Sequence, residues 1–168
     1  MRNKKVKKKP NKKKNAIPVM ASVTIVGLVL GGGFILFSAS GPKQEAFASV
    51  TVYKSPTCGC CSAWVDHLEE NGFDVDVVDD NNVASFKRKF GVPERHYSCH
   101  TAVVNDYVIE GHVPATDIKR LISEKQRVKG LSVPGMPHGS PGMETGRVDK
   151  YKVFSFDENK NTRVFNRY

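Results

Sequence analysis

Three of the chain's four cysteines stand within four positions, in Cys58-Gly59-Cys60-Cys61. The cluster contains a C-x-x-C, a C-x-C and a vicinal pair at once. Three chemistries are therefore open: a dithiol redox pair with a spare thiol, a metal clamp, and part of a disulfide framework. On an ideal helix successive residues turn by ~100°, which brings Cys58 and Cys61 together and points Cys60 away. All three sulfurs can face one point if Cys58 and Gly59 still belong to the loop entering the helix, a backbone that glycine permits. A helix start also stabilises thiolates, so the position suits either redox attack or ligation.

The fourth thiol, Cys99, stands in Ser98-Cys99-His100-Thr101, beside an imidazole. Further donors follow: His112 in EGHVPA, then Met136, His138 and Met143 in PGMPHGSPGME. Thiolate, thioether and imidazole form a soft ligand set, which selects Cu(I) first and zinc second. The candidate metal ligands are thus Cys58, Cys60, Cys61, Cys99, His100, His112, Met136, His138 and Met143. Four thiolates can bridge ions, so more than one copper is expected. His67 and His96 are weaker candidates, the first riding a helix and the second expected in a surface loop.

The elements that must position these residues can be read from periodicity. SVTVY (49–53) alternates and is β-branched, as a strand should be, and FDVDVVD (73–79) repeats the pattern. Between them Ser55-Pro56-Thr57 starts a helix, Trp64 and Leu68 share one face, and Asn71-Gly72 stops it. VASFKRKFG (83–91) is helical, with Val83, Phe86 and Phe90 on one stripe. TAVVNDYVIEG (101–111) reads as a hairpin, and Pro114 opens a third helix whose buried face is Ile118, Leu121 and Ile122. Residues 130–146 read as a Gly/Pro loop, and YKVFSFD (151–157) with TRVFNRY (162–168) as a closing hairpin.

The resulting order, β-α-β-α-β-β-α followed by a loop and an extra hairpin, predicts an α/β fold of thioredoxin-like type. In oxidoreductases of that fold a cis-proline stands just before the third strand, opposite the cysteines. Here that place reads Ser98-Cys99-His100, and the nearest proline, Pro93, comes too early. A fourth thiol and an imidazole where a redox enzyme wants proline favour metal over redox.

The formal net charge of +9 does not indicate a nucleic-acid partner. Residues 1–15 carry nine Lys/Arg and no acid, and the rest of the chain balances 17 basic against 17 acidic side chains. No basic face is left for a phosphate backbone. The basic tail runs into residues 16–37, twenty-two positions without a charge. A bilayer core needs ~20 such residues as a helix, and basic residues before it hold that end in the cytoplasm. Residues 38–48 form a linker, and residues 49–168 the domain. Ala46-Phe47-Ala48 resembles a cleavage signal but lies far beyond the apolar run, so an anchor is preferred over a removed signal. Either way the cysteines are expected outside the cytoplasm, on the periplasmic side, where disulfides persist.

Taken together, CGCC, SCHTA, EGHVPA and GLSVPGMPHGSPGME resemble the CopG-like family of copper-resistance proteins, long catalogued as a domain of unknown function. The resemblance covers roughly residues 49–157. It implies a thioredoxin-like extracytoplasmic domain whose cysteines, at Cys58, Cys60, Cys61 and Cys99, bind copper, with His112 and the Met136/His138/Met143 loop matching further family positions. The first expectation is a copper-binding protein more than an enzyme, one that sequesters Cu(I) or passes it to other copper-handling proteins, with zinc as the alternative metal; as an enzyme it would be a thiol or copper oxidoreductase. The second is a thiol–disulfide oxidoreductase using Cys58 as nucleophile and Cys61 as resolver. A third is a partner-binding domain stapled by disulfides.

Overall fold

The computed structural model describes residues 46–168. The tail at 1–15, the apolar segment at 16–37 and most of the 38–48 linker lie outside the described residues. Within them the chain runs β1 (Ser49–Lys54), α1 (Gly59–Glu70), β2 (Asp74–Asp79), α2 (Val83–Lys89), a 3-10 turn (Glu94–His96), β3 (Thr101–Val104), β4 (Tyr107–Glu110), α3 (Ala115–Glu124), β5 (Gly130–Ser132), β6 (Lys152–Phe156) and β7 (Thr162–Arg167).

The seven strands make one mixed sheet in the order β2-β1-β3-β4-β5-β6-β7. β1 and β2 are parallel, as a crossover through α1 requires, and β4 and β5 are parallel across α3. The other neighbouring pairs are antiparallel. The period of two sorts the strand residues cleanly between the faces. Val50, Val52, Ala102, Val104, Ile109 and Leu131 join Trp64 and Leu68 of α1 and Ile118 and Leu121 of α3 in the main core. Val108, next to Ile109 in sequence, turns the other way and packs with Val92 and Phe156. On that second side Tyr53 stacks on Phe86 of α2, ring centroids 4.3 Å apart. Trp64 is fully buried and its indole N–H donates to the Val113 carbonyl at 2.9 Å. Truncating such a residue to alanine costs roughly 3–5 kcal/mol.

Two expectations need correction. The segment 130–146 is not loop throughout: its first three residues are strand β5, which ties the closing hairpin into the main sheet. Composition concealed it, because Gly130-Leu131-Ser132 precedes a Pro/Gly run and draws its strand character from β4 and β6 on either side. His96 is not a surface residue either. It is 4% exposed, its Nδ1 lies 2.7 Å from Ser132 Oγ, and its ring meets Phe154 edge-on.

Candidate metal centre

Sheet topology carries the candidate donors to one end of the molecule. β1 finishes there, with Tyr53 paired to Thr101 at the start of β3. Thr101 pairs in turn with Glu110 at the end of β4, and Glu110 with Ser132 at the end of β5. The segments that leave or enter these four strand ends contain Cys58–Cys61, Cys99–His100, His112 and the 133–143 loop. The closing in of β5 sets the last of these, which the sequence alone did not place.

The local backbone then groups the sulfurs. α1 begins at Gly59, and Cys58 occupies the N-cap position in extended conformation, φ −79° and ψ 97°. Cys58 is thus outside the helical spiral, and its Sγ lies 3.5 Å from that of Cys60. One donor atom from each of Cys58, Cys60, Cys61 and Cys99 lies within 4.8 Å of the others. Cys58 and Cys61 are joined as a disulfide, while Cys60 and Cys99 are free thiols.

Cys99 is shared with a second grouping, Cys99–His100–His112, of the same compactness. Its Sγ lies 2.9 Å from His112 Nε2 and 3.3 Å from His100 Nδ1. His112 Nδ1 lies 2.8 Å from the Pro141 carbonyl, which can only accept, so Nδ1 carries the proton and Nε2 presents a lone pair toward Cys99. A backbone carbonyl holding the distal nitrogen is how metal-binding imidazoles are commonly oriented. His100 is fully buried against Trp64, centroids 4.4 Å apart, and its Nε2 has no hydrogen-bond partner. Burial holds the pKa of His112 below the ordinary histidine value and that of His100 well below it, so both rings are neutral at pH 7. Burial, reinforced by the neighbouring Cys60, pushes the Cys99 thiol up to about 12. The donor chemistry, two free thiols, two neutral imidazoles with one orphaned buried nitrogen, and two further sulfurs once the Cys58–Cys61 bond is reduced, fits a soft metal ion.

The 133–143 loop covers this end. It is closed on itself by Gly139 N–H to the Met143 carbonyl at 2.9 Å and Met143 N–H to the Ser140 carbonyl at 2.8 Å. Gly142 lies against the start of α1 with φ +82°, so close that a Cβ there would stand 2.7 Å from the Cys60 carbonyl oxygen. His138 lies outside both groupings, its Nδ1 2.6 Å from Thr145 Oγ1. Met136 is 51% exposed, and Met143 is half-buried. His67 is spent elsewhere: its Nε2 accepts the Ala115 N–H at the start of α3, at 3.1 Å.

Sequence reasoning missed the polar cluster beneath Cys99. Glu110 is fully buried, and its carboxylate accepts from Lys87 Nζ, from the Thr101 hydroxyl and from the Ser98 backbone N–H, each at 2.6 Å. Lys87 is 5% exposed. The available signal was Glu110 ending an apolar strand register, where a lone acid needs a partner.

The fold and site define a mixed α/β domain with a cysteine–histidine cluster at one end of its sheet. A family profile described as "Protein of unknown function, DUF411" matches residues 96–143, the stretch from the 3-10 turn through Met143. Two solved structures, titled "Copper resistance protein copG", forms 2 and 1, are each 42% identical to this chain with a TM-score of 0.69. Each match covers 72% of this chain, and 98% and 97% of the respective structures. No curated protein matches the chain. The chain belongs to the CopG-like copper-resistance family.

Proposed function

We propose that this protein is an extracytoplasmic copper-binding protein that sequesters or transfers Cu(I) in copper resistance. The observation that carries the reading is the convergence of Cys58, Cys60, Cys61 and Cys99 on one point, with His100 and His112 meeting the same Cys99 sulfur. The strand order β2-β1-β3-β4 with α1 and α3 on one face supports a thioredoxin-like domain at residues 49–168, extended by the closing hairpin. Reduced Cys58 and Cys61 join Cys60 and Cys99 as thiolate ligands, with His112 and His100 completing the set. A shared Cys99 suits more than one ion. Met136, His138 and Met143 serve as outer donors on the entry path, and residues 16–37 hold the domain at the membrane, where it meets other copper-handling proteins. The CopG structures carry copper resistance in their titles, which supports copper over zinc.

Metal analysis of protein purified under reducing conditions, with and without added Cu(I), tests the reading. Bound copper that resists a competing chelator is expected, and Cys60→Ser or Cys99→Ser should weaken it as much as Cys58→Ser. Absence of stable Cu(I) binding in the reduced parent would overturn the proposal. Replacing Met136 and Met143 together by Leu keeps volume and apolar character. It should weaken Cu(I) retention and leave zinc binding nearly unchanged, because thioethers are soft donors; equal retention would restrict the site to cysteine and histidine.

A second reading is favoured by one observation, the Cys58–Cys61 disulfide. It is a thiol–disulfide oxidoreductase in which Cys58 attacks and Cys61 resolves. That activity needs only two thiols and should survive Cys60→Ser, whereas copper binding should not.

A further inference from the structure

Cys99 must face the CGCC sulfurs, yet it stands on a short irregular segment between the 3-10 turn and β3. The polar cluster beneath it accounts for its placement. Ser98, the residue before Cys99, is held at both ends: its N–H by Glu110 Oε1 and its hydroxyl by the Gly135 carbonyl of the covering loop. Glu110 is held in turn by Lys87 of α2 and Thr101 of β3, and Lys87 Nζ also reaches Thr101 Oγ1 at 3.2 Å. Gly111, at φ +72°, completes the fit, since a Cβ there would stand 2.6 Å from Ser98 Cβ.

We propose that Glu110 is a positioning residue for Cys99: its buried carboxylate, clamped by Lys87 and Thr101, fixes Ser98 and thereby sets the Cys99 sulfur opposite the other three. Its consequence for copper rests on the proposed function, but the positioning itself does not. A charge buried with three donors is expensive to move, so the clamp is stiff. Removing one partner leaves the other charge unpaired, whereas replacing both by apolar residues of similar volume is tolerated far better. Lys87→Met with Glu110→Met therefore removes the clamp as a unit and leaves the Ser98 N–H without its acceptor.

The deciding measurement needs no metal. With Cys58, Cys60 and Cys61 changed to Ser, Cys99 is the sole thiol, and its alkylation by iodoacetamide reports how firmly it is held. Adding K87M/E110M should speed alkylation about tenfold, the factor that follows from ~1.4 kcal/mol less protection against local opening. Asp117→Asn, which loosens a different buried cluster around Tyr168 and Asn166, serves as control and should leave the rate unchanged. An unchanged rate in folded K87M/E110M, or an equal rise in D117N, would overturn the proposal. Should K87M/E110M not fold, Thr101→Val removes one donor and keeps the ion pair; a smaller rise supports the clamp, and no rise overturns it. In the four-cysteine chain, K87M/E110M should lower Cu(I) affinity and have no further effect beside Cys99→Ser. If alkylation responds but the parent binds no Cu(I), the positioning role stands and the copper reading falls.

Discussion

Cys99 joins the two donor groupings, and its chemistry sets the terms on which the proposed metal would enter. With the thiol pushed up to about 12 by burial and by Cys60, Cys99 keeps its proton throughout the physiological range. A metal must displace that proton, so binding releases it to solvent. Apparent affinity then rises with pH below the thiol's pKa, by up to tenfold per unit for each proton released. Chelator competition at pH 6.5 and pH 8 should show tighter Cu(I) binding at the higher pH. Cys99→Ser should lower the slope by about one proton. An unaltered slope would mean that Cys99 is not deprotonated on binding. The neutral imidazoles behave differently, since burial already holds His100 and His112 below the ordinary histidine value and they give up no proton near neutrality.

At the scale of elements, the covering loop and the start of α1 act as one unit. Pro141 fixes the tautomer of His112, and the next residue, Gly142, touches the backbone of Cys60 and Trp64. Gly142→Ala brings both left-handed strain and a clash with backbone, a loss of about 1–3 kcal/mol. Gly146→Ala has a similar φ, +83°, but meets nothing within 4 Å, so it measures the strain alone. G142A should lower the denaturation midpoint more than G146A and should also weaken Cu(I) retention; equal effects would show that the close approach does not matter. The sequence made most elements legible for identifiable reasons. The alternation in SVTVY and DVDVVD, and the Trp64/Leu68 spacing, report burial that each element carries by itself. What it concealed depends on partners distant in the chain. β5 needs β4 and β6, His96 needs Ser132, and Lys87 and Glu110 are charged residues whose burial makes sense only once they meet. The candidate site was legible as a set of residue types, whereas its tautomers and its supporting clamp were not.

For the whole molecule, the asymmetry of charge is the main fact. All the positive excess lies in residues 1–15, ahead of an uncharged stretch, and the remainder is balanced. If residues 16–37 span a bilayer, the positive-inside tendency would direct the domain outward, the orientation proposed above. Protease added to intact spheroplasts should digest residues 49–168 while leaving the Lys-rich tail protected or already removed. Protection of the domain would place the cysteines in the cytoplasm and overturn the extracytoplasmic part of the proposal. Among the described residues, no helix is long and apolar enough to cross a membrane, so residues 16–37 are the segment on which that experiment bears.

The late position of β5 has a consequence for biosynthesis. A chain that emerges N-terminus first delivers Cys58, Cys60 and Cys61, then Cys99, before the 133–143 loop and the last three strands exist. During that interval the thiols are uncovered, and the partners they meet are decided by proximity along the chain. Closing a short loop costs less entropy than closing a long one. Cys58 and Cys61, three residues apart, therefore find each other sooner than either finds Cys99. Under oxidising conditions a disulfide within the CGCC cluster, such as Cys58–Cys61, forms ahead of any bond to Cys99, and a reductant must open it before all four sulfurs could serve one ion.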